Sequence, residues 1–433
     1  MSENFPAGVL MKLTTEIPNN FDAYYEAARK AQPEVNLANR LGITERTLRR
    51  WKSGEVVAPQ LAVEELQRLL KFGMSDSRRG SFKFIDLFAG IGGIRLAFES
   101  IGGECVFTSE WDDYAQKTYV ANFSAGHEIN GDITLVDEED IPDHDVLLGG
   151  FPCQSFSISA QNPPRLGYKD ERGKLFFEMV NVLKEKQPRF FIGENVKGLL
   201  SANKGKAFPM IVNEFKNAGY YIHYKLLNAS EFGVPQKRER VFIVGFREFE
   251  DYFNFRFPQP ITLNGSKVKL KQVIDPQADQ DDKWFFSQRA VDGMLRVREK
   301  MNKGRVQDLD QPCNTISSHL AKVSLNGTDP VLMVDGKYRR FTPREAANIQ
   351  SFPESFKLDV VSENRQYRAI GNAVPPVLMW HVANALIKCC SDCQSTEAKE
   401  KKVELSKFEE KYILLIDADE YLDKKTQIFK FEF

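Results

Sequence analysis

The stretch "FKFIDLFAGIGGIRLAFES", residues 82–100, decides how the chain folds. It begins as an apolar run, ends in a helical pattern, and carries Gly90, Gly92 and Gly93 between the two. A strand that turns through glycines into a helix opens an α/β unit, and glycine at such a turn lets backbone approach a ligand closely. The unit recurs. Beside the first strand at 82–88, further strands are predicted at 104–110, 145–150, 189–194, 221–229 and 240–246. Helical periodicity fills the gaps, most clearly over 173–187, where Leu175, Phe176, Met179, Val182 and Leu183 share one face. Alternation of this kind predicts an α/β fold built on a doubly wound, mostly parallel sheet.

In open α/β sheets ligands bind beyond the carboxyl ends of the strands, so the residues there carry the functional reading. Glu110 closes the second strand, at a spacing from the glycines where an acid meets ribose hydroxyls in dinucleotide-binding folds. Trp111 offers an indole for stacking on a purine, and Asp132 in "NGDIT" offers an acceptor for an exocyclic amine. No Lys-Ser/Thr pair follows the glycines, which disfavours a phosphate-cradling P-loop. Singly, each acid reads as a surface or turn residue. At successive strand ends they predict a nucleoside-bearing cofactor.

Cys153 lies in "GGFPCQSFS" (149–157), directly after the apolar run "DVLLGG". An isolated cysteine is most often a small buried hydrophobe. A Pro-Cys-Gln loop on a sheet rim points instead to a nucleophile, which needs nearby positive charge to ionise. "QKRERVFIVGF" supplies Arg238 and Arg240, alternating along a strand entrance, and "GENVKG" places Glu194 at another strand end. A thiol and a carboxylic acid facing one cavity suit attack on an electron-poor ring with protonation of a ring nitrogen.

Taken in order, "FIDLFAGIGG", "TSEWD", "GDIT", "GGFPCQSFS", "GENVKGL", "QKRERVFIVGF" and "YRAIGNAVPP" resemble the motifs of bacterial DNA (cytosine-5)-methyltransferases, over about residues 82–381. The resemblance implies the S-adenosylmethionine-dependent methyltransferase fold. It implies a catalytic set of Cys153, Glu194, Arg238 and Arg240. Cys153 would add to C6 of a flipped-out cytosine, and Glu194 would hold N3 and the 4-amino group, with Asn195 and Val196 shaping the loop. Arg240, seconded by Arg238, would contact the base O2. S-adenosyl-L-methionine would be held by Phe88, Gly90, Gly92, Glu110, Trp111, Asp132 and Asn372. "ISAQNPPRLGYKDERG" (158–173) corresponds to a loop that closes over DNA, with Ser159, Arg165 and Arg172 as contacts. The irregular stretch 248–338 takes the place of a small target-recognition domain, in which "PCNTISSHLAK" (312–322) carries Thr315. The catalytic and cofactor-binding domain is then 82–247, with a return at 339–390. Double-stranded DNA is the implied substrate and a monomer the implied acting form. The implied purpose is protection against a restriction endonuclease, without a stable complex between the two.

Upstream of the polar linker "GMSDSRRGS" (73–81), residues 17–72 contain "VNLANRLGITERTLRRWKSG". Ala38, Gly42 and Leu48 fall at the small, turn and core positions of a helix-turn-helix. Thr44 is placed to cap the second helix, leaving Arg46, Arg49, Arg50 and Lys52 for DNA. An all-α DNA-binding domain that represses transcription of the chain's own gene is the expectation here. No role is assigned to 391–433.

Composition narrows the classes. With a net charge of −1 over 433 residues, nucleic-acid contact must rest on local patches, and 29–79 and 253–345 both lean basic. Six cysteines in so long a chain make no disulfide framework. "CCSDC" (389–393) holds one Cys-x-x-Cys without a second pair, and the five histidines lack ligand spacing, so no metal site is expected. No run approaches a membrane span, and the N-terminus lacks a signal-peptide layout; a cytoplasmic protein without membrane contact is expected. Two other readings stay open, an RNA (tRNA) cytosine-5 methyltransferase with the same catalytic set and a cysteine-dependent hydrolase. The separate recognition segment and the basic helix-turn-helix favour DNA.

Overall fold

The computed structural model describes residues 44–53, 55, 82–123, 126–152, 171–260, 267–298, 305–320 and 329–392, without the side chains of 171–174, 294–298 and 390–392. The first described element is a helix, α1 (Glu45–Lys52). The centre of the molecule is a sheet of β1 (Phe82–Leu87), β2 (Gly103–Ser109), β3 (Ile129–Asn130), β4 (Val146–Gly149), β5 (Phe190–Val196), β6 (Tyr221–Asn228) and β8 (Glu239–Phe246). Its strand order is β3-β2-β1-β4-β5-β8-β6. Between the last two in sequence, β7 (Gln236–Lys237) leaves the sheet and pairs in parallel with β9 (Cys313–Asn314). All six expected strands are present, and the sheet is parallel except for β8, which runs antiparallel to both β5 and β6. A short connection with a single 3-10 turn at Ala229–Glu231 joins β6 to β8, and a link without a crossover helix leaves neighbouring strands antiparallel. At two residues, β3 is too short to leave a periodic signal in the sequence.

Alternate residues of each central strand enter opposite cores. Phe84, Val146, Leu148, Phe190, Ile192, Phe242 and Val244 face one layer, packed with α2 (Gly93–Glu99) and α10 (Pro376–Asp392). Ile85, Leu87, Leu147, Phe191, Val241 and Ile243 face the other, against α4 (Glu171–Lys186) and α5 (Ala207–Asn217). Burial on both faces is why these strands read as continuous apolar runs. The face expected on α4 is present: Phe176, Met179, Val182 and Leu183 are buried and Leu175 packs against them.

The stretch Glu363–Cys389, which joins α9 (Glu363–Asn372) to α10, corrects one expectation. It is long and apolar enough to cross a bilayer by composition, but 78% of its apolar window is buried in this fold. Val377, Leu378, Met379, Val382, Ala383 and Leu386 give α10 its apolarity, and all of them fill the first core.

A third cluster crosses the boundary drawn at 338. Leu270, Trp284, Cys313, Ile316 and Phe341 share it with Ile91, Tyr119 and Phe123 from the glycine turn and α3 (Asp113–Asn122), and with Ile349, Phe352 and Ile370 beyond the segment. The irregular segment is therefore seated directly against the glycine turn and α3.

Candidate active site

At the end of β1 the chain makes a sharp turn. Phe88, Gly90 and Gly92 have φ of 58°, 56° and 84°, and Gly92 opens α2. The left-handed region is unstrained for glycine and costly for phenylalanine, so Phe88 marks a turn held by its surroundings. A side chain on Gly90 would meet open space, whereas one on Gly93 would lie 2.4 Å from the Val374 carbonyl oxygen. The glycine turn thus leaves room on one side and presses α2 against the segment after α9 on the other. Asn372, exposed at the end of α9, stands beside that contact.

Glu110 meets the turn from β2. The Gly90 N–H donates to its Oε2 at 2.7 Å and the Asp112 N–H to its Oε1 at 2.8 Å. Burial raises its carboxyl above the ordinary range, opposed by these two backbone donors. Each oxygen keeps a second lone pair, so the carboxylate can still accept a pair of hydroxyls. Trp111 next to it is 77% exposed, the side chain of a residue type that normally seeks cover. Asp132 caps a 3-10 turn, its Oδ1 accepting from the Thr134 N–H at 3.0 Å and hydroxyl at 2.8 Å. Open space over Gly90, a free indole and carboxylates at two successive strand ends fit a nucleoside.

Beneath the turn lies a buried polar group that sequence reasoning did not single out. Asp86 on β1 is inaccessible; its Oδ2 accepts from the Tyr119 hydroxyl at 3.4 Å and its Oδ1 has no hydrogen-bond partner among the described residues. Burial pushes its carboxyl up to about 7, against the pull of the Arg95 guanidinium.

The second cluster forms where β4 and β5 end and the antiparallel β8 begins. Glu194 on β5 is 8% exposed, and its Oε1 lies 2.8 Å from Arg240 Nε in a buried ion pair. Burial raises the Glu194 carboxyl; Arg240 and then Arg238 oppose the rise. A methyl group built on Gly150 would sit 3.6 Å from Glu194 Oε2, so the chain entering the Cys153 loop passes this carboxyl. Asn195 fixes that entry, donating from Nδ2 to the Phe151 carbonyl at 2.8 Å while its Oδ1 accepts from the Val196 N–H. Cys153, Ser159 and Arg165 lie outside the described residues, as do Ala38 and Gly42, and Arg172 is described only as backbone in α4.

Arg238 stands differently from the expectation that it seconds Arg240 at a base. It is 1% exposed, and both terminal nitrogens donate to backbone carbonyls, Nη1 to Ile316 at 2.9 Å and Nη2 to Gly371 at 2.8 Å and Ala373 at 3.0 Å. Nearby Gln236, fully buried, was not singled out from sequence. The same two-residue alternation that pairs Arg238 with Arg240 would have included it. Thr315 is exposed at the rim, its hydroxyl donating to the Lys237 carbonyl at 2.7 Å. On α1, Thr44 caps the helix by accepting from the Thr47 N–H at 3.1 Å. Leu48 and Trp51 are buried, and Arg46, Arg49, Arg50 and Lys52 are exposed.

A largely parallel open sheet with a glycine turn and a row of acidic strand ends defines an α/β protein of methyltransferase type. The model of the C-5 cytosine-specific DNA methylase family matches residues 82–388, and the chain belongs to that family, an enzyme of DNA cytosine-5 methylation. It is 39% identical over 370 residues to the Type II methyltransferase M1.ScrFI of Lactococcus lactis subsp. cremoris, covering 82% of this chain and 92% of the relative. The Type II methyltransferase M.SsoII of Shigella sonnei is 37% identical, covering 82% and 94%. M.HhaI of Haemophilus parahaemolyticus is 36% identical, covering 72% and 95%. Among solved structures, S. pombe Dnmt2 methyltransferase has a similar fold, with a TM-score of 0.58 at 20% identity over 71% of this chain and 98% of that one.

Proposed function

We propose that the chain transfers a methyl group to C5 of a cytosine flipped out of a specific short duplex site, and that this protects the DNA from a restriction endonuclease. The observation that carries it is the convergence of the buried Glu194–Arg240 pair with the chain leading into Cys153. S-adenosyl-L-methionine, when bound, supplies an electrophilic methyl group. Glu110 would hold its ribose, Trp111 stack on its adenine, Asp132 accept from its amine, and Phe88, Gly90, Gly92 and Asn372 line its cleft. The Cys153 thiolate adds to C6, and Glu194, whose carboxyl burial raises, donates to N3 from its acid form. The electron pair moved to C5 takes up the methyl group. Loss of the C5 proton to a solvent base then lets the Cys153–C6 bond break, and return of the N3 proton to Glu194 restores the neutral ring. Arg240 contacts O2, where negative charge gathers.

Ser159, Arg165 and Arg172 are assigned to the DNA backbone or the vacated stack, and Thr315 to the reading segment 248–338. The test uses duplex DNA with 5-fluorocytosine in the site found by bisulfite sequencing. Fluorine cannot leave as a proton, so a covalent complex should accumulate, and Cys153→Ser should abolish both trapping and turnover. Methylation of RNA alone, or turnover by Cys153→Ser at a comparable rate, would sink the reading.

A second function is favoured by α1, which presents four cations beside a buried Leu48–Trp51 face. The alignments with M1.ScrFI and M.SsoII also span more of the chain than the family region does. The N-terminal segment is proposed to bind operator DNA and limit expression. Arg49→Ala with Arg50→Ala should weaken promoter retardation in a gel and flatten its salt dependence, with methylation intact. No retardation by the intact chain at low salt would end the idea.

A further inference from the structure

The strand entrance 236–240 meets two other segments in a junction closed to water. Gln236 Oε1 accepts from the Ile316 N–H at 3.0 Å, and its Nε2 donates to Gln350 Oε1 at 3.1 Å and to the Ile349 carbonyl at 3.4 Å. Gln350, also fully buried, donates onward to the Ile370 carbonyl at 2.8 Å. Arg238 ties Ile316 to Gly371 and Ala373 by the three bonds given above. The fit is tight: a methyl group on Gly371 would lie 2.3 Å from the Ser317 and Ser318 backbone. Gln236 and Lys237 are paired in register with Cys313 and Asn314. Two residues beyond Arg238 on the same chain, Arg240 holds Glu194.

A buried guanidinium depends on the acceptors it has, because a charge without partners in a low-dielectric interior is strongly penalised; with Arg238 Nε unpaired among the described residues, the three bonds of its terminal nitrogens carry that load. Its acceptors here come from two different places, the loop after β9 and the end of α9. Neither can move without stripping Arg238 of a partner, so the junction favours one discrete arrangement over a continuum. We propose that Gln236 and Arg238 are positioning residues that couple target reading to catalysis. Seating of the loop Cys313–Ser317 on the correct DNA site sets the strand entrance, and thereby aligns Arg240 with Glu194 and Asn372 with the cofactor cleft. On a wrong site the loop is not seated, and the penalty falls on the catalytic rim. The inference rests on the reading of 248–338 as the recognition segment of a DNA cytosine methyltransferase.

The test compares single-turnover methylation of two duplexes, one with the bisulfite-mapped site and one with a single mismatch in it. Arg238→Met and Gln236→Met should slow the correct duplex by about tenfold while changing the mismatched one little, so that discrimination collapses, with KM for DNA nearly unchanged. Arg238→Lys, one nitrogen in place of two, should fall between wild type and Arg238→Met. Gly371→Ala leaves both polar side chains in place and displaces the loop; it should lose discrimination in the same way, and it decides the matter if Arg238→Met does not fold. Equal slowing on both duplexes would assign Arg238 to the base itself and overturn the inference. So would a lowered thermal midpoint with unchanged rates and ratio per folded molecule. A wild-type chain that methylates no cytosine would instead overturn the proposed function.

Discussion

Glu194 and Arg240 are an unequal pair. Burial drives the carboxyl toward its acid form, and the guanidinium 2.8 Å away holds it back. Protonated Glu194 is the form that can donate to cytosine N3, so activity should decline as pH rises through its pKa. Arg240→Met removes the main opposing charge and raises that pKa further. The variant should lose about 10²-fold in kcat if Arg240 makes the contact to O2 proposed above. What activity remains should extend to higher pH than in wild type, as read from the alkaline limb of a kcat profile. An alkaline limb that stays in place would show that Glu194 is not the titrating group. Both residues were legible in the sequence because strand ends and alternation within a strand are local signals. The different station of Arg238 was not, since its partners Ile316, Gly371 and Ala373 come from remote parts of the chain.

At the scale of elements, the glycine turn depends on what is pressed against it. Gly93→Ala would put a methyl group into the Val374 carbonyl, a backbone atom that cannot rotate away. It should cost about 1–3 kcal/mol of stability. It should also weaken binding of S-adenosylhomocysteine, measured by calorimetry, because the Asn372 end of the proposed cleft must shift. Gly131→Ala, which meets only open space, is the control. Equal binding by both variants would show that the Gly93–Val374 contact plays no part in cofactor binding. The glycines were readable as a turn, yet which one bears the packing was not, because Val374 is distant in sequence. Likewise the repeating α/β unit announced the parallel strands. The third core was hidden, since Leu270, Trp284 and Phe341 stand in irregular segments without a period to detect.

For the molecule as a whole, Asp86 links folding to pH. Its folded-state pKa is about 7 against an ordinary 3.8, so between these values the folded chain holds one proton more than the unfolded chain. Stability from this group is therefore full below the unfolded pKa and lost as pH rises toward 7 and beyond. Asp86→Asn removes the difference. Relative to wild type, the variant should gain on the order of 1–3 kcal/mol on going from pH 5 to pH 8, read from denaturant midpoints at the two pH values. A constant offset between the two proteins would mean that Asp86 is ionised throughout. The burial that causes this effect follows from the register of β1 with β2, where Asp86 faces Thr108 inside the fold.

Trp111 supplies a natural reporter for the proposed cofactor site. Of the four tryptophans, Trp51, Trp284 and Trp380 are covered by the fold, and Trp111 alone projects into solvent. The red edge of the intrinsic emission therefore comes from a single indole beside Glu110, and acrylamide should quench that component selectively. S-adenosylhomocysteine stacked on Trp111 should shield it and steepen the contrast between bound and free protein, giving an optical titration that needs no label and no DNA. Quenching unchanged by saturating ligand would place the adenine elsewhere.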